Sequence, residues 1–300
     1  MTLTQLEYII ALDTHRHFVS AADSCFVTQP TLSMQIQKLE EELGTLLFDR
    51  SKQPILPTLE GAKIVAQARV VLQEAKRLKE IVLSEKGMTK GDLKVGIIPT
   101  LSPYLVPLFL EKFLADYPDI TLKISEITTA EILHRLRNET LDVGILATPL
   151  HEANILEQVL FYEPFVAYLP QNHALRKKKL IAQSDLQHEK LLLMEEGHCL
   201  RGQVLSFCKY KTEQADTNLR YEAGSIETLK KLVDRNMGMT ILPELAIMEM
   251  DEDSLENVHY FDSPEPRREI GMVYMRSQLK AKLMEALAKA IKAALPEKFR

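Results

Sequence analysis

The stretch that decides the fold lies at residues 18–50 and reads FVSAADSCFVTQPTLSMQIQKLEEELGTLLFDR. Thr28 and Gln29 precede Pro30, and a polar cap followed by a proline in the first turn is typical of a helix start. Gly44 is of the residue type that commonly ends a helix. Four apolar side chains between these signals are spaced by four, three and four residues, which predicts one buried face: Leu32, Ile36, Leu39 and Leu43. The stretch therefore predicts a helix whose outer face is polar.

Two shorter helices are predicted before it. Leu3, Leu6 and Ile10 form an apolar stripe at helical spacing, and Ser20 is positioned to cap a second helix over 21–26. Residues 48–58, FDRSKQPILPT, are rich in turn formers and predict a small two-stranded wing. Three short helices with tight turns and a wing predict a winged helix-turn-helix domain over residues 1–58.

A longer helix is predicted from residue 59, and we assign residues 59–86 to it as a linker. Its apolar side chains repeat with a period of 3.5, which favours pairing with a second copy of the helix: Ile64, Ala68, Val71, Ala75, Leu78 and Val82. The alternative is an amphipathic helix that lies on its own domain. The polar segment that follows contains two glycines, and residues 87–90 are predicted to form a hinge.

From residue 91 onward strand and helix patterns alternate, which predicts an α/β domain over 91–300 with a parallel sheet and helices on both faces. Thr129 is expected to cap a helix over 130–138. The pattern repeats in two halves that cross near residue 162 and return near 268. We therefore predict subdomain I (91–161 and 269–300) and subdomain II (162–268), with a ligand-binding cleft between them.

Composition narrows the possible classes of protein. Apolar residues make up 46% and charged residues 26% of the 300 residues, the net charge is −5, and there are three cysteines. These values argue against a disulfide-stapled secreted scaffold and favour a reducing compartment. No apolar run is long enough to span a membrane, and the first residues lack a basic start and an unbroken apolar stretch. We therefore expect a cytoplasmic protein without membrane contact, and not a binding protein for transport.

The order of motifs in the first fifty residues is specific. FVSAA, TQPTLS, QIQKLE, LG and LFDR follow one another, and this order resembles the LysR-type transcriptional regulators. The resemblance implies a winged helix-turn-helix, a linker-helix dimer and an effector module of two α/β subdomains like those of periplasmic binding proteins. It also implies double-stranded promoter DNA as a partner, assembly as a dimer of dimers and contact with RNA polymerase, with no cofactor and no metal.

A recognition helix reads base edges in the major groove with its N-terminal residues. Here these residues are short polar groups and one apolar contact suited to thymine methyl groups: Thr28, Gln29, Pro30, Thr31 and Ser33. Gln35, Lys38 and Arg50 are predicted to hold phosphates, while Glu40, Glu41 and Glu42 must point away from the duplex. For any one of these residues, a solvated helix face is the alternative interpretation. The charges of the first 90 residues balance, so DNA binding would need a local basic surface.

A second informative stretch is EEGHCLRG at residues 195–202, followed by Cys208. The separation of Cys199 and Cys208 is too long for a zinc pair. A helix start and the neighbouring His198 and Arg201 would favour the reactive thiolate of Cys199, whereas Cys208 follows apolar residues and is expected to be buried. If 199–208 is one helix, the two Cα atoms are about 13–14 Å apart, too far for a disulfide. Two unreactive core cysteines are the alternative.

Within the family, GHCLR followed by this second cysteine resembles the members that respond to hydrogen peroxide. The resemblance implies that Cys199 is the peroxidatic cysteine, that Cys208 is its disulfide partner, and that four polar residues line the peroxide site: Thr100, Thr129, His198 and Arg201. Two departures stand out. Gly202 stands where the better-known members have an acidic residue. Pro266 stands where they have an arginine, and the neighbouring Arg267 or Arg268 is expected to take the place of that arginine. Cys25 belongs to neither motif and is expected to fill the core.

Three functions follow from these observations. The leading one is a DNA-binding regulator that hydrogen peroxide switches through Cys199 and Cys208. The second is a regulator of the same family that binds a small metabolite in the cleft. The third is a thiol peroxidase, for which the first ninety residues would have no use.

Overall fold

The computed structural model describes residues 1–85, 90–186, 189–208, 221–278 and 280–299. The chain forms two compact units that divide between residues 88 and 89. Most of the predicted hinge, residues 87–89, lies outside the described residues.

The first unit begins with three helices: α1 (Leu3–His15), α2 (Phe18–Ser24) and α3 (Gln29–Leu43). The predicted start and end of α3 are confirmed, since Thr28 occupies the N-cap and Gly44 ends the helix with φ of 70°. Glycine adopts this left-handed conformation without a steric penalty. Leu32, Ile36 and Leu39 are fully buried, but Leu43 is exposed and does not extend the buried face.

The sequence patterns predicted the buried face of α1 and the start of α2 incorrectly. The core face of α1 consists of Leu6, Ile9 and Leu12, and Leu3 is exposed because it lies in the first turn, off that face. Ser20 lies inside α2, which begins three residues earlier than a cap at that position would allow. Cys25 follows α2 and is half-buried, so it is not a fully buried filler.

A wing and a long helix complete the first unit. Strands β1 (Phe48–Asp49) and β2 (Leu56–Pro57) pair antiparallel, as predicted, and α4 follows (Leu59–Glu85). The first half of the predicted α4 seam serves the unit's own core. Ala68 is fully buried there, and Ile64 and Val71 pack against the same cluster.

The second unit opens with a parallel β/α series. Its elements are β3 (Gly91–Ile97), α5 (Ser102–Asp116), β4 (Ile120–Glu126), α6 (Thr129–Arg137) and β5 (Val143–Thr148). Strand β3 lies between β4 and β5 and runs parallel to both. The N-cap of α6 is Thr128, whose hydroxyl accepts from the Glu131 backbone N–H, and not Thr129. Two adjacent threonines look alike in sequence, and the backbone conformation decides between them.

The middle of the second unit contains the elements of the second predicted half. They are β6 (Ile155–Tyr168), β7 (Leu193–Met194), α7 (Cys199–Cys208), β8 (Glu222–Ala223), α8 (Ile226–Asp234), β9 (Thr240–Pro243), α9 (Glu252–Leu255) and β10 (Val258–His259). Strands β9 and β10 pair antiparallel with the second part of β6.

The chain then returns through β11 (Arg267–Met275) and ends in α10 (Ala281–Ala294). Strand β11 lies between β6 and β5 and is antiparallel to both. The sheet is therefore mixed and not purely parallel, because the returning strand runs against the outgoing one. Strand β6 passes from one hydrophobic cluster to the next between Phe161 and Phe165. The predicted α/β class with a two-part effector module is confirmed.

Candidate functional site

Cys199 is the first residue of α7 and follows a tight turn in which Gly197 has φ of 96°. It is half-buried. Although the rest of α7 packs in the cluster of subdomain II, Cys199 packs against the cluster of subdomain I. The thiol therefore lies where the two subdomains meet.

The side chains of His198 and Arg201, on either side of Cys199, anchor the first turn of α7. The nearly buried His198 side chain has Nε2 3.5 Å from a Glu195 carboxylate oxygen. Arg201 donates to the Met194 carbonyl oxygen at 2.9 Å, and its guanidinium lies 3.4 Å from the Glu222 carboxylate. Both contacts of Arg201 are with β7 and β8, so the guanidinium fastens the helix to this strand pair.

Cys208 lies at the other end of α7 and is fully buried, as predicted. Burial raises the pKa of the Cys208 thiol to about 12, which keeps it protonated and a weak nucleophile. Phe207 packs edge-on against Phe261 with ring centroids 5.1 Å apart, and Gln183 donates to the Phe207 carbonyl oxygen. Since 199–208 is one helix, its rise of about 1.5 Å per residue keeps the two cysteines apart.

Thr100 and Thr129 both follow the carboxyl ends of strands. They come after β3 and β4, which are adjacent and parallel, so both residues lie at one edge of the sheet. Thr100 is fully buried. The Thr129 hydroxyl oxygen is also buried and has no hydrogen-bond partner among the residues that the structure describes. A buried hydroxyl without a partner is uncommon, and a small polar ligand would satisfy it.

Arg268 and Glu163 lie opposite each other on the adjacent strands β11 and β6 and form a fully buried ion pair. Arg268 Nε donates to Glu163 Oε2 at 2.7 Å, and the guanidinium also donates to the Thr100 hydroxyl and carbonyl oxygens, each at 3.2 Å. Glu163 Oε1 accepts from the Leu245 N–H at 2.9 Å. Arg267, the other possible substitute for the missing arginine, is exposed and pairs with Glu265. Arg268 is therefore the arginine at this edge of the sheet.

Some of the residues predicted to touch DNA lie at the start of α3, and others line a groove further along the helix. Thr28, Gln29 and Pro30 are exposed at its start, while Ser33 is half-buried. Further along, α1 and α3 enclose a groove of about 420 Å³ whose α3 side is lined by Thr31, Gln35, Lys38 and Glu42. Gln5 of α1 donates through Nε2 to the side-chain oxygen Oε1 of Gln35 at 3.3 Å, and the hydroxyls of Thr28 and Thr31 are 2.8 Å apart.

Glu40 and Arg50 connect α3 to the wing. Glu40 is buried, and its carboxylate accepts from the Leu47 and Phe48 N–H groups and from the Arg50 guanidinium at 2.7 Å. The guanidinium also lies 5.6 Å from the Phe18 ring centroid. Glu40 therefore points into the protein, and Arg50 has protein partners in addition to any phosphate it contacts.

The predicted pairing seam of α4 divides into two parts. Its first part packs on the unit's own core, as described above, whereas Leu78 is 68% exposed. Ala75 is half-buried, and the side chain of Val82 lies outside the described residues.

Within the described ranges, no group of three or more His, Cys, Asp or Glu side chains could hold a metal ion. Nor do those ranges contain a helix with the length and apolar character needed to cross a membrane.

Family models match almost the whole chain. Residues 3–62 match the bacterial regulatory helix-turn-helix protein, lysR family, and residues 86–296 match the LysR substrate binding domain. The chain belongs to the LysR family.

Individual relatives within the LysR family include a regulator named OxyR and regulators named for hydrogen peroxide. The DNA-binding transcriptional dual regulator OxyR of Escherichia coli is 40% identical over 301 residues, covering all of this chain and 97% of the relative. The hydrogen peroxide-inducible genes activator of Haemophilus influenzae is 37% identical and covers 97% of this chain and 96% of its own.

Solved structures that resemble this chain are also those of OxyR proteins. A full-length OxyR of Pseudomonas aeruginosa with a cysteine-to-aspartate change has a TM-score of 0.80 at 36% identity and covers 97% of this chain and 95% of that one. A cysteine mutant of Corynebacterium glutamicum OxyR, described as bound to H2O2, has a TM-score of 0.66 at 30% identity and covers 98% and 92%.

One contact between the subdomains of this LysR chain escaped the sequence analysis. Tyr104 of α5 donates to Glu227 of α8 at 2.9 Å, and Lys230 lies 2.5 Å from the same carboxylate and 5.7 Å from the Tyr104 ring centroid. Burial and the Glu227 carboxylate raise the pKa of Tyr104 above its ordinary value. No local pattern predicts this contact, because Tyr104 and Glu227 are 123 positions apart in the chain.

Proposed function

We propose that this chain is a transcription regulator that binds promoter DNA through α3 and the wing and senses hydrogen peroxide through Cys199. The observation that carries the proposal is the position of this thiol. It begins α7 in one subdomain and packs against the core of the other, while Cys208 is sealed in the core at the far end of the same helix. The names of the relatives agree with this chemistry.

The first step is attack by the Cys199 thiolate on one peroxide oxygen. The O–O bond breaks, an S–O bond forms, and the departing hydroxide takes a proton and leaves as water, so that Cys199 becomes a sulfenic acid. Thr100, Thr129, His198 and Arg201 are proposed to hold the peroxide. Arg268 donates to Thr100 and so positions that hydroxyl. The unpartnered Thr129 hydroxyl is available to bind a peroxide oxygen.

The second step joins Cys208 to Cys199. The Cys208 thiolate attacks the sulfenic sulfur, an S–S bond forms, and hydroxide leaves and is protonated to water. Together the two thiols lose two hydrogens and the peroxide is reduced to two waters. The α7 helix must unwind first, and unwinding also releases Cys208 from the burial that holds its pKa near 12. A cytosolic dithiol reverses the bond.

Intact-mass measurement after stoichiometric peroxide tests this chemistry. The parent chain should lose two hydrogens within the 199–208 peptide. Cys199→Ser should be unreactive, Cys208→Ser should gain one oxygen that a sulfenic-acid reagent traps, and Cys25→Ser should behave like the parent. Oxidation of Cys25 in the parent, or an unchanged response of Cys199→Ser, would contradict the proposal.

The same proteins separate the two competing functions. A regulator that senses a metabolite would keep its DNA response in Cys199→Ser. A thiol peroxidase would consume many equivalents of peroxide per chain when supplied with a dithiol. We expect neither result, and the chain needs no cofactor for the chemistry above.

We also propose that residues 1–58 form the DNA-binding domain and that the contacts of this domain with the bases determine which DNA sequence is bound. Replacing Thr31 or Ser33 with a bulky residue should remove sequence-specific binding in a gel-shift assay with selected duplexes, because α3 could no longer seat in the major groove. Unchanged binding by such variants would place the reading surface elsewhere. A bacterial regulator of this kind acts on chromosomal DNA, so we expect it in the cytoplasm, with RNA polymerase as a further partner.

We also propose that α4, in residues 59–86, joins two chains and that two such dimers form a tetramer. Leu78 supports this proposal, since a largely exposed leucine on the predicted seam fits a partner helix. Leu78→Asp should lower the molecular mass measured by light scattering. Gln67→Asp, at an exposed position of α4 off the seam, should leave it unchanged. Equal masses for the two variants would move the interface elsewhere.

A further inference from the structure

The solvent face of α3 is centred on a residue that neither the motifs nor the predicted contacts include. The exposed positions Pro30, Met34, Gln37 and Glu41 follow one another at helical spacing, so Glu41, which was expected to point away from DNA, shares this solvent face and lies two turns past Met34. Thr31, Gln35 and Lys38 instead line the groove beside α1. Met34 therefore lies in the middle of the face that α3 presents to solvent.

Met34 also differs in its exposure from the other large apolar side chains near the start of α3. The other large apolar side chains in its first three turns, Leu32, Ile36 and Leu39, are fully buried, whereas Met34 is 60% exposed. It makes no contribution to the core that would explain a thioether at this place. Its neighbours on the face are polar or are proline, and Gln37 donates to Glu41 at 3.1 Å.

We propose that Met34 determines part of the DNA sequence preference by contacting the 5-methyl groups of thymines in the major groove. This inference rests on the proposed DNA-binding function and extends it. The thymine methyl is the apolar group that the major-groove edge offers. Methionine is flexible and polarisable, so it can cover a methyl group without demanding a fixed geometry. The continuity of Met34 with the exposed Pro30 at the helix start supports DNA as the occupant of this face.

The experiment begins with selection of binding duplexes from a random library by the full-length parent protein. Each thymine of the selected site is then replaced, one at a time, by deoxyuridine, which removes the methyl group alone. Affinities are measured for the parent, Met34→Ala, Met34→Leu and Met248→Ala. The last is a control, because Met248 is an exposed methionine of the other unit.

At one or two thymines, we expect deoxyuridine to weaken binding of the parent by about three- to fivefold, the value of burying one methyl group. The same replacement should not affect Met34→Ala, should still weaken binding of Met34→Leu, and should act on Met248→Ala as on the parent. Equal losses in the parent and Met34→Ala at every thymine would overturn the inference while leaving DNA binding intact. If the parent selects no sequence at all, the proposed function itself fails.

Discussion

Helices α3 and α7 carry the two halves of the proposed function, and they are held in different ways. Helix α3 has a proline-containing first turn, a glycine stop at Gly44 and a buried carboxylate, Glu40, that ties it to the wing. Helix α7 has ten residues and contains Gly202, an exposed glycine near its start. A side chain at that position would meet no atom within 4 Å.

The difference matches what each helix has to do. A helix that reads DNA must keep one shape, because its side chains have to arrive at the base edges in register. A helix that separates two cysteines must be able to lose its shape, since no disulfide can form across its length. Glycine in a helix interior costs about 1 kcal/mol relative to alanine, so Gly202 lowers the free energy needed to unwind α7 without removing any packing contact.

The largest expected effect concerns the buried Arg268–Glu163 ion pair, which lies in the part of the second unit that keeps its structure while α7 unwinds. Arg268→Ala would leave Glu163 buried without its partner, and breaking a fully buried ion pair costs about 3–5 kcal/mol. Urea unfolding of the second unit should show this loss. Arg267→Ala changes an exposed neighbour and should stay within about 0.5 kcal/mol of the parent. Similar midpoints for the two variants would show that the Arg268–Glu163 pair contributes no more stability than an exposed ion pair, and the second unit would then lack the stable part that distinguishes it from α7.

A smaller effect is expected at the wing. Arg50→Ala removes the cation from the buried Glu40 carboxylate, which keeps its two backbone donors. Because Arg50 itself is partly exposed, we expect a loss of about 1–2 kcal/mol in unfolding experiments on the first unit. Lys52→Ala, at the exposed tip of the wing, should change stability little.

The salt dependence of DNA binding then shows which contact of Arg50 matters in the complex. Loss of one phosphate contact reduces the slope of log affinity against log salt by about 0.9. A wing that is merely displaced weakens binding without that change. Since Arg50 already pairs with Glu40, we expect Arg50→Ala to weaken binding to all sequences with less than the full change in slope.

The sequence was sufficient where the signals are local. The start and stop of α3 depend on Thr28, Pro30 and Gly44, which act within one turn of their own positions. The same holds for the burial of Cys208, since apolar neighbours precede it. Thr129 was placed incorrectly as a cap because Thr128 lies beside it and only the backbone conformation selects one of the two. Ser20 was placed incorrectly because α2 starts after His17, whose side chain makes no capping hydrogen bond and so leaves no capping signal in the sequence.

The contacts that the sequence could not predict join distant parts of the chain. Arg268 meets Thr100 across 168 positions, and Glu163 meets Leu245 across 82. They come together because β11 returns beside β6 and β5, and no pattern along the chain encodes that register. The parallel sheet was predicted from the βαβ series, but an antiparallel return strand has no signature of its own.

The smallest expected effect concerns Gly202 and the free energy needed to unwind α7. Gly202→Ala should stabilise the helical form of α7 by about 1 kcal/mol without steric conflict, and should therefore slow both opening of the helix and disulfide formation by about fivefold. Trapping of the Cys199 sulfenic acid should become easier, because the sulfenic acid forms before the helix opens. Ser206→Ala, at another exposed position of α7, should slow disulfide formation by less, since serine is a better helix former than glycine.

Alkylation of Cys208 in the Cys199→Ser background isolates the opening step, because Cys208 must leave the core to react. Its pKa is about 12 in the closed helix and near its ordinary value of 9.0 once exposed. The closed form is therefore fully favoured below pH 9 and loses its advantage as the pH rises from 9 toward 12, since only the opened thiol releases its proton in that range. We expect alkylation to be slowed about fivefold by Gly202→Ala at constant pH. If this variant and Ser206→Ala react at the parent's rate, unwinding of α7 does not limit access to Cys208, and the contrast between a rigid α3 and a yielding α7 fails.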